Sequence, residues 1–171
     1  MLRSPIRSGS SGGAGSAAHE KLLAWKTNPG VVELTTISVS NTWYNLVCDP
    51  DTADVDAILG FTNLGNGVFR NDSGRTITQK IYIAITAGLN GTATTNTFKL
   101  GYGKYNGSTY DFQAGKESGT FDVVSTTTTS SEDFVIIPAV AILANEQFRI
   151  MLNRTSGTRN LELSNLTISI A

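Results

Sequence analysis

Charge is scarce in this sequence. Only 16% of its 171 residues are Asp, Glu, Lys or Arg, against roughly 25% in an ordinary soluble domain. The thirteen basic and fourteen acidic residues nearly cancel, to a net of -1, and no basic stripe of the kind that grips a phosphate backbone is present. His19 is the only histidine and Cys48 the only cysteine. That excludes an intrachain disulfide, a cysteine-based zinc site and a histidine pair on a metal. It also leaves nucleophilic catalysis with one imidazole and no third group to orient it. The glycine-rich stretch at residues 9–15 lacks the Lys-Ser/Thr ending of a phosphate loop and follows no strand. No apolar run approaches the roughly 18 residues of a membrane span. Gly and Ser follow Arg3 and Arg7 where an export signal would place its apolar core. The expectation is a protein that is not an enzyme, carries no cofactor, and binds neither nucleic acid nor membrane.

Sustained helical periodicity is missing too, and what replaces it is a three-part organisation. Residues 1 to about 18 read as a Gly/Ser-rich arm with Arg3 and Arg7 as its only charges. It has nothing large to bury against its own ordering entropy. Residues 19–30 read as a hinge, in which Glu20–Lys26 makes a turn or two of helix before the Thr27-Asn28-Pro29-Gly30 turn. Leu22, Leu23 and Trp25 there need a surface to bury against, either a partner's or the edge of this chain's own core.

From residue 31 to residue 171 the pattern is β. Ile77, Ile81, Ile83 and Ile85 share one face of a long alternating segment; Phe98, Leu100 and Tyr102 share another. Phe121 and Val123 are in phase, as are Phe148, Ile150 and Leu152, and Leu166, Ile168 and Ile170. Turn signals fall at nearly every junction, and Asp54–Leu59 is the one place left for a helical turn. This spacing predicts an all-β, antiparallel jelly-roll sandwich of about eight to ten strands behind an extended N-terminal arm.

Few constellations carry chemistry. Asp49, Asp51, Asp54 and Asp56 lie within eight residues and make a candidate oxygen site for Ca²⁺, though without the central Gly and distal Glu of a helix-loop-helix calcium loop. The same residues also read as a loop with Asp51 or Thr52 capping a short helix. Cys48 reads as a small core-facing side chain. Trp43, Tyr44, Tyr102, Tyr105 and Tyr110 offer sugar-stacking faces or, alternatively, core aromatics. Arg149, Arg154 and Arg159 read as ordinary solvated charge or, alternatively, as a basic spot for a partner's acidic surface. Asn-x-Ser/Thr occurs at Asn71, Asn90, Asn106, Asn153 and Asn165, at a frequency that this Asn- and Thr-rich composition produces by chance.

Four segments carry a family resemblance: Gly67-Val68-Phe69-Arg70-Asn71, Ile81-Tyr82-Ile83, Gln147-Phe148-Arg149-Ile150-Met151-Leu152, and Leu166-Thr167-Ile168-Ser169-Ile170-Ala171. Over residues 31–171 they resemble strands of the trimeric jelly rolls of the tumour-necrosis-factor and complement-C1q type, and of similar phage and viral surface domains. An arm before one jelly roll, low in charge and rich in Thr and Asn, is similar to bacteriophage capsid decoration (cement) proteins. The resemblance implies a homotrimer on a capsid surface, bound to the major capsid protein through Arg3, Arg7, Leu22, Leu23 and Trp25. The alternative it implies is the receptor-binding head of a tail fibre or spike.

Overall fold

The computed structural model describes residues 23–26, 32–48, 57–58, 60–91, 94–124 and 131–171. Among them are thirteen strands and no helix: β1 (Leu23–Lys26), β2 (Glu33–Thr35), β3 (Trp43–Asn45), β4 (Ala57–Ile58), β5 (Phe61–Gly65), β6 (Val68–Asn71), β7 (Ile77–Leu89), β8 (Asn96–Tyr105), β9 (Tyr110–Glu117), β10 (Phe121–Val123), β11 (Ser131–Ile142), β12 (Gln147–Ser156) and β13 (Leu161–Ile170). The count exceeds eight to ten because long ladders are met by broken ones. β1 and β2 pair with opposite ends of β13, β3 and β6 with opposite ends of β12, and β10 and β9 with opposite ends of β8.

Merging those pairs gives the jelly-roll order directly. One sheet runs β11-β7-β13, then β1 with β2, then β4. The other runs β9 with β10, then β8-β12, then β3 with β6, then β5. Every pairing is antiparallel. With the outermost β4 and β5 set aside, eight merged positions remain; in chain order the first, eighth, third and sixth make one sheet and the second, seventh, fourth and fifth the other. That alternation is the double Greek key of a jelly roll.

Leu23–Lys26 is a strand rather than the expected helical turn. Leu23 and Trp25 stand opposite Ile170 and Ile168 of β13, and a helix of that length has no stability of its own to compete with a ladder. The sheet therefore takes in residues N-terminal to position 31. In the Asp54–Leu59 segment, Ala57–Ile58 pairs with β1 as a strand.

The apolar alternation read from the sequence is the core pattern. Ile81, Ile83 and Ile85 face Phe98, Leu100, Phe148 and Leu152 across the sandwich, all buried. Two phase slips in the sequence are bulges. In β11 the register shifts between Ile137 and Val140, leaving Pro138 and Ala139 exposed and both flanking residues buried. In β13 it shifts between Leu163 and Asn165. A bulge adds one residue and restores the inward phase after it. The β5–β6 hairpin closes on Asn66 (φ 52) and Gly67 (φ 68), the two positive-φ positions that a type I′ turn demands and that Asn-Gly supplies.

Phe148 sits at the centre of the aromatic layer, with ring centroids 6.0 Å from Phe61, 5.6 Å from Phe69 and 5.3 Å from Tyr102. Phe148→Ala should destabilise the fold by about 3–5 kcal/mol. Urea unfolding would register this as a lower midpoint at unchanged slope.

Candidate functional site

Three surfaces carry side chains that the fold itself does not use up. The first is the outer face of the sheet containing β7, β11 and β13. Phe134 is 63% exposed and Ile136 41%. Across the ladder they stand opposite Ala84 and Tyr82, and the Tyr82 and Phe134 rings lie 6.3 Å apart. The rows continue through Thr167 and Ser169 of β13. The result is a shallow strip of aromatic, methyl and hydroxyl groups; within β7, β11 and β13 its charges are Lys80 and Glu132 at the ends, and in the register the Phe134–Ala84–Thr167 row continues to Lys26 of β1.

The second is the outer face of the opposite sheet. Gly101 and Gly103 leave the backbone of β8 bare; the Trp43 and Phe112 rings, stacked at 3.9 Å and 14°, fill the space over Gly101, and Met151 fills that over Gly103. A methyl group on Gly101 would fall 2.7 Å from Trp43 and 2.9 Å from Phe112, so Gly101 is where the rings seat, whereas one on Gly103 would fall 2.5 Å from the Met151 sulfur. Further along, Tyr105 and Tyr110 pack at 5.2 Å and Arg149 lies 5.4 Å over the Tyr110 ring. The Arg149 guanidinium also donates to the carbonyls of Leu46 at 2.8 Å and Asn66 at 3.2 Å.

The third is the seam between β9 and β11, edge strands of opposite sheets. Tyr102 reaches it from the end of the aromatic layer and donates its hydroxyl to Glu146 Oε1 at 2.6 Å. Lys104 Nζ pairs with Glu146 Oε2 at 2.7 Å, and the Glu146 side chain is only 4% exposed. Burial, and then the adjacent carboxylate, push the Tyr102 phenol far above its ordinary value. The cleft above this trio measures about 290 Å³.

The residues singled out from sequence divide among these places. Trp43, Tyr105 and Tyr110 meet on one outer face. Tyr102 is a core residue, and the Tyr44 hydroxyl accepts the Val39 N–H at 2.8 Å. Cys48 is buried in the core. The arginines are not solvated charge as expected. Arg154 is buried and donates to Ser40 Oγ at 3.3 Å and to the Arg159 carbonyl at 2.9 Å, and Arg149 is half-buried. They serve as braces because the loops they cross have carbonyls that need donors. Asn71 and Asn153 are buried, so their Asn-x-Ser/Thr sequences are not on the surface. Leu23 and Trp25 lie in β1. Arg3, Arg7, His19, Leu22, Asp49, Asp51, Asp54 and Asp56 lie outside the described residues. Among the described residues no three His, Cys, Asp or Glu side chains converge as a metal site. Sequence reading missed Phe134 and Glu146. The unbroken Phe134-Val135-Ile136-Ile137 run announces the first, since a strand apolar on both faces has no wet side. Nothing local announces the second.

No family model matches the sequence, and no curated protein matches it. The solved structures to which the chain is similar include two at low identity. The CBM22-1 xylan-binding domain of Paenibacillus barcinonensis Xyn10C is 9% identical with a TM-score of 0.39, covering 88% of this chain and 94% of that one. Eiger TNF from S. frugiperda is 11% identical with a TM-score of 0.42, covering 89% and 94%. The jelly-roll assignment itself comes from the strand order above.

The Tyr102–Glu146 bond gives stability a defined alkaline limit. An unfolded tyrosine ionises near about pH 10, and the folded one does so only higher. Stability from this group is therefore complete below pH 10 and falls as pH rises beyond it. Tyr102→Phe should cost about 1–2 kcal/mol at neutral pH, by leaving Glu146 short of a donor. It should also flatten the decline above pH 10 in denaturation midpoints taken across the alkaline range.

Proposed function

We propose that this protein is a non-catalytic assembly domain: a structural virion protein of the capsid decoration type. It trimerises through the outer face of β7, β11 and β13 and holds the major capsid protein with its N-terminal segment. The observation that supports this reading is the strip around Phe134, Ile136 and Tyr82. An exposed phenylalanine beside an exposed isoleucine on a flat, nearly uncharged sheet is what self-association buries. Closed cyclic symmetry lets one such strip on each copy be covered without leaving a growing end. In this reading Arg3, Arg7, Leu22, Leu23 and Trp25 contact the shell, an arrangement that adds contact area without enlarging the core.

A second reading, the receptor-binding head of a tail fibre or spike, is favoured by the opposite face. There Trp43, Phe112, Tyr105 and Tyr110 gather with Arg149, leaving aromatic surface to stack on a sugar.

Phe134→Asp changes an exposed side chain, so the body should stay folded while the trimer dissociates. Light scattering behind a sizing column should show the mass fall to that of one chain. A wild-type protein that is monomeric at micromolar concentration, or a trimer indifferent to the substitution, overturns the proposed face. Deleting residues 1–18 should leave the trimer intact and abolish co-sedimentation with capsid shells. Recovery of the native protein at a few copies with tail components, rather than hundreds with the shell, would favour the receptor-binding head.

A further inference from the structure

The seam cleft between β9 and β11 has features that edge protection alone does not require. Both of its walls are bulged at the same level. The β11 register shifts between Ile137 and Val140. On β9, Phe112 stands opposite Gly103 but Glu117 stands opposite Gly101, so Gln113–Lys116 are looped out of the ladder. Bulges re-aim side chains and gather beside binding sites. Here they bring Gln113 and Lys116 into the cleft on one side, with Ala139–Ala141 on the other. The two alanines keep the cleft open.

Its hydrogen-bonding inventory is unbalanced. Glu146 is the only carboxylate in the lining, and both its oxygens are occupied, by Tyr102 at 2.6 Å and Lys104 at 2.7 Å. The Leu143 N–H adds a long contact to Oε2 at 3.4 Å. Lys116 Nζ donates once, to the Ala139 carbonyl at 2.8 Å. Each ammonium carries three donors, so Lys104 and Lys116 retain more than they have placed, and two positive charges face one negative. Asp111, which stands opposite Lys104 on the β8–β9 ladder, is bonded at its Oδ2 by Asn106 Nδ2 at 2.7 Å and is not part of the lining. Gln113 spends an amide N–H on the Asp111 carbonyl at 3.1 Å, which leaves its own oxygen as an acceptor.

We propose that this cleft binds an acidic sugar, its carboxylate held between Lys104 and Lys116, a hydroxyl on Gln113, and an apolar ring face against Ala139–Ala141. A volume of about 290 Å³ holds one hexose-sized unit rather than a chain. The surplus of one positive charge matches one carboxylate and not a doubly charged phosphate. The hydroxyl acceptor and the methyl-lined wall distinguish a sugar acid from a bare anion. The lining belongs to one chain, so the proposal does not rest on the assembly reading, although Ala139 also borders Lys80 and Tyr82 of the apolar strip.

The test is a titration of the isotopically labelled full chain at low salt with glucuronic acid, N-acetylneuraminic acid, glucose and inorganic phosphate, followed by amide chemical shifts. One of the two acids should bind with a dissociation constant in the millimolar range or below, with shifts confined to residues 102–104, 113–116, 139–141 and 146. Glucose should bind at least about tenfold more weakly, as the loss of one charge-assisted bond predicts. Lys116→Met, which removes a single surface bond and leaves the Glu146 pair intact, should weaken the acid by a similar factor at unchanged thermal stability. Gln113→Ala should weaken it less. Equal binding of glucose, phosphate matching the acids at the same residues, a Lys116→Met variant that binds normally, or no shifts with either acid would each overturn the proposal.

Discussion

The inward face of β7, β11 and β13 is aliphatic, built from Ile81, Ile83, Ile85, Ile137, Val140, Leu166 and Ile168, whereas the inward face of β6, β8 and β12 is largely aromatic, with Phe69, Phe98, Tyr102 and Phe148. The other described side chains are positioned by that apposition. β-branched side chains are stiff and form a ridged, regular surface; large planar rings fill what it leaves. Each such side chain contributes about 1.5–3 kcal/mol on burial, and a one-residue slip of any strand would turn its whole contribution out to water. Register is therefore fixed by the core. The positions of Trp43, Glu146, Phe134 and Lys116 follow from register.

The same constraint explains the buried ion pair. Tyr102 belongs to the aromatic layer by its ring and stacks on Phe148, but its hydroxyl emerges at the end of that layer. A buried hydroxyl needs an acceptor. Glu146, in the turn just before β12, provides it, and the charge thereby brought inside needs Lys104. The chain of necessity runs from ring to hydroxyl to carboxylate to ammonium. It ends at the seam, where Lys104 is again in contact with solvent. A buried carboxylate neutralised on one side only would be strongly destabilising, so this trio is a unit rather than three separate contacts.

The fold was legible in the sequence to the extent that periodicity encodes it. Alternation in Ile77–Ile85, Phe98–Tyr102, Phe148–Leu152 and Leu166–Ile170 is a local property and marks the inward residues as they stand. Strand number was less legible, because a ladder such as β8 can be met by two separate short strands, and pairing is not local. Leu23–Lys26 misled for a related reason: four residues carry too little propensity to choose a state, and β13 chooses it for them. The arginines misled because exposure is a tertiary property. Arg154 is an ordinary charged residue until a loop lies across it. Of the candidate sites, Phe134 was written in an unbroken apolar run. The Glu146 trio brings together positions 102, 104 and 146, whose proximity only the sheet order specifies.

The edges bear on how copies of such a domain meet. An open sheet edge is a template for another strand, and a sandwich has four. Here the β11 edge carries Pro138 and a bulge, and the β9 edge carries a wider bulge with Gly115 at φ 74. On the far flank, β4 and β5 are two and five residues long. Interrupted or short edges offer little continuous backbone to a partner, so among the described residues hydrogen-bonded growth from edge to edge is disfavoured. What remains available for association is face-to-face contact through side chains. The two outer faces are unequal in this respect: the Trp43–Phe112 stack and Met151 already cover the glycines of β8, whereas nothing among the described residues covers Phe134 and Ile136. Among the described residues, blocked edges and one uncovered apolar face leave the outer side of β7, β11 and β13 as the surface with apolar side chains still to cover. They leave the bulged seam, with its two ammonium groups, facing solvent.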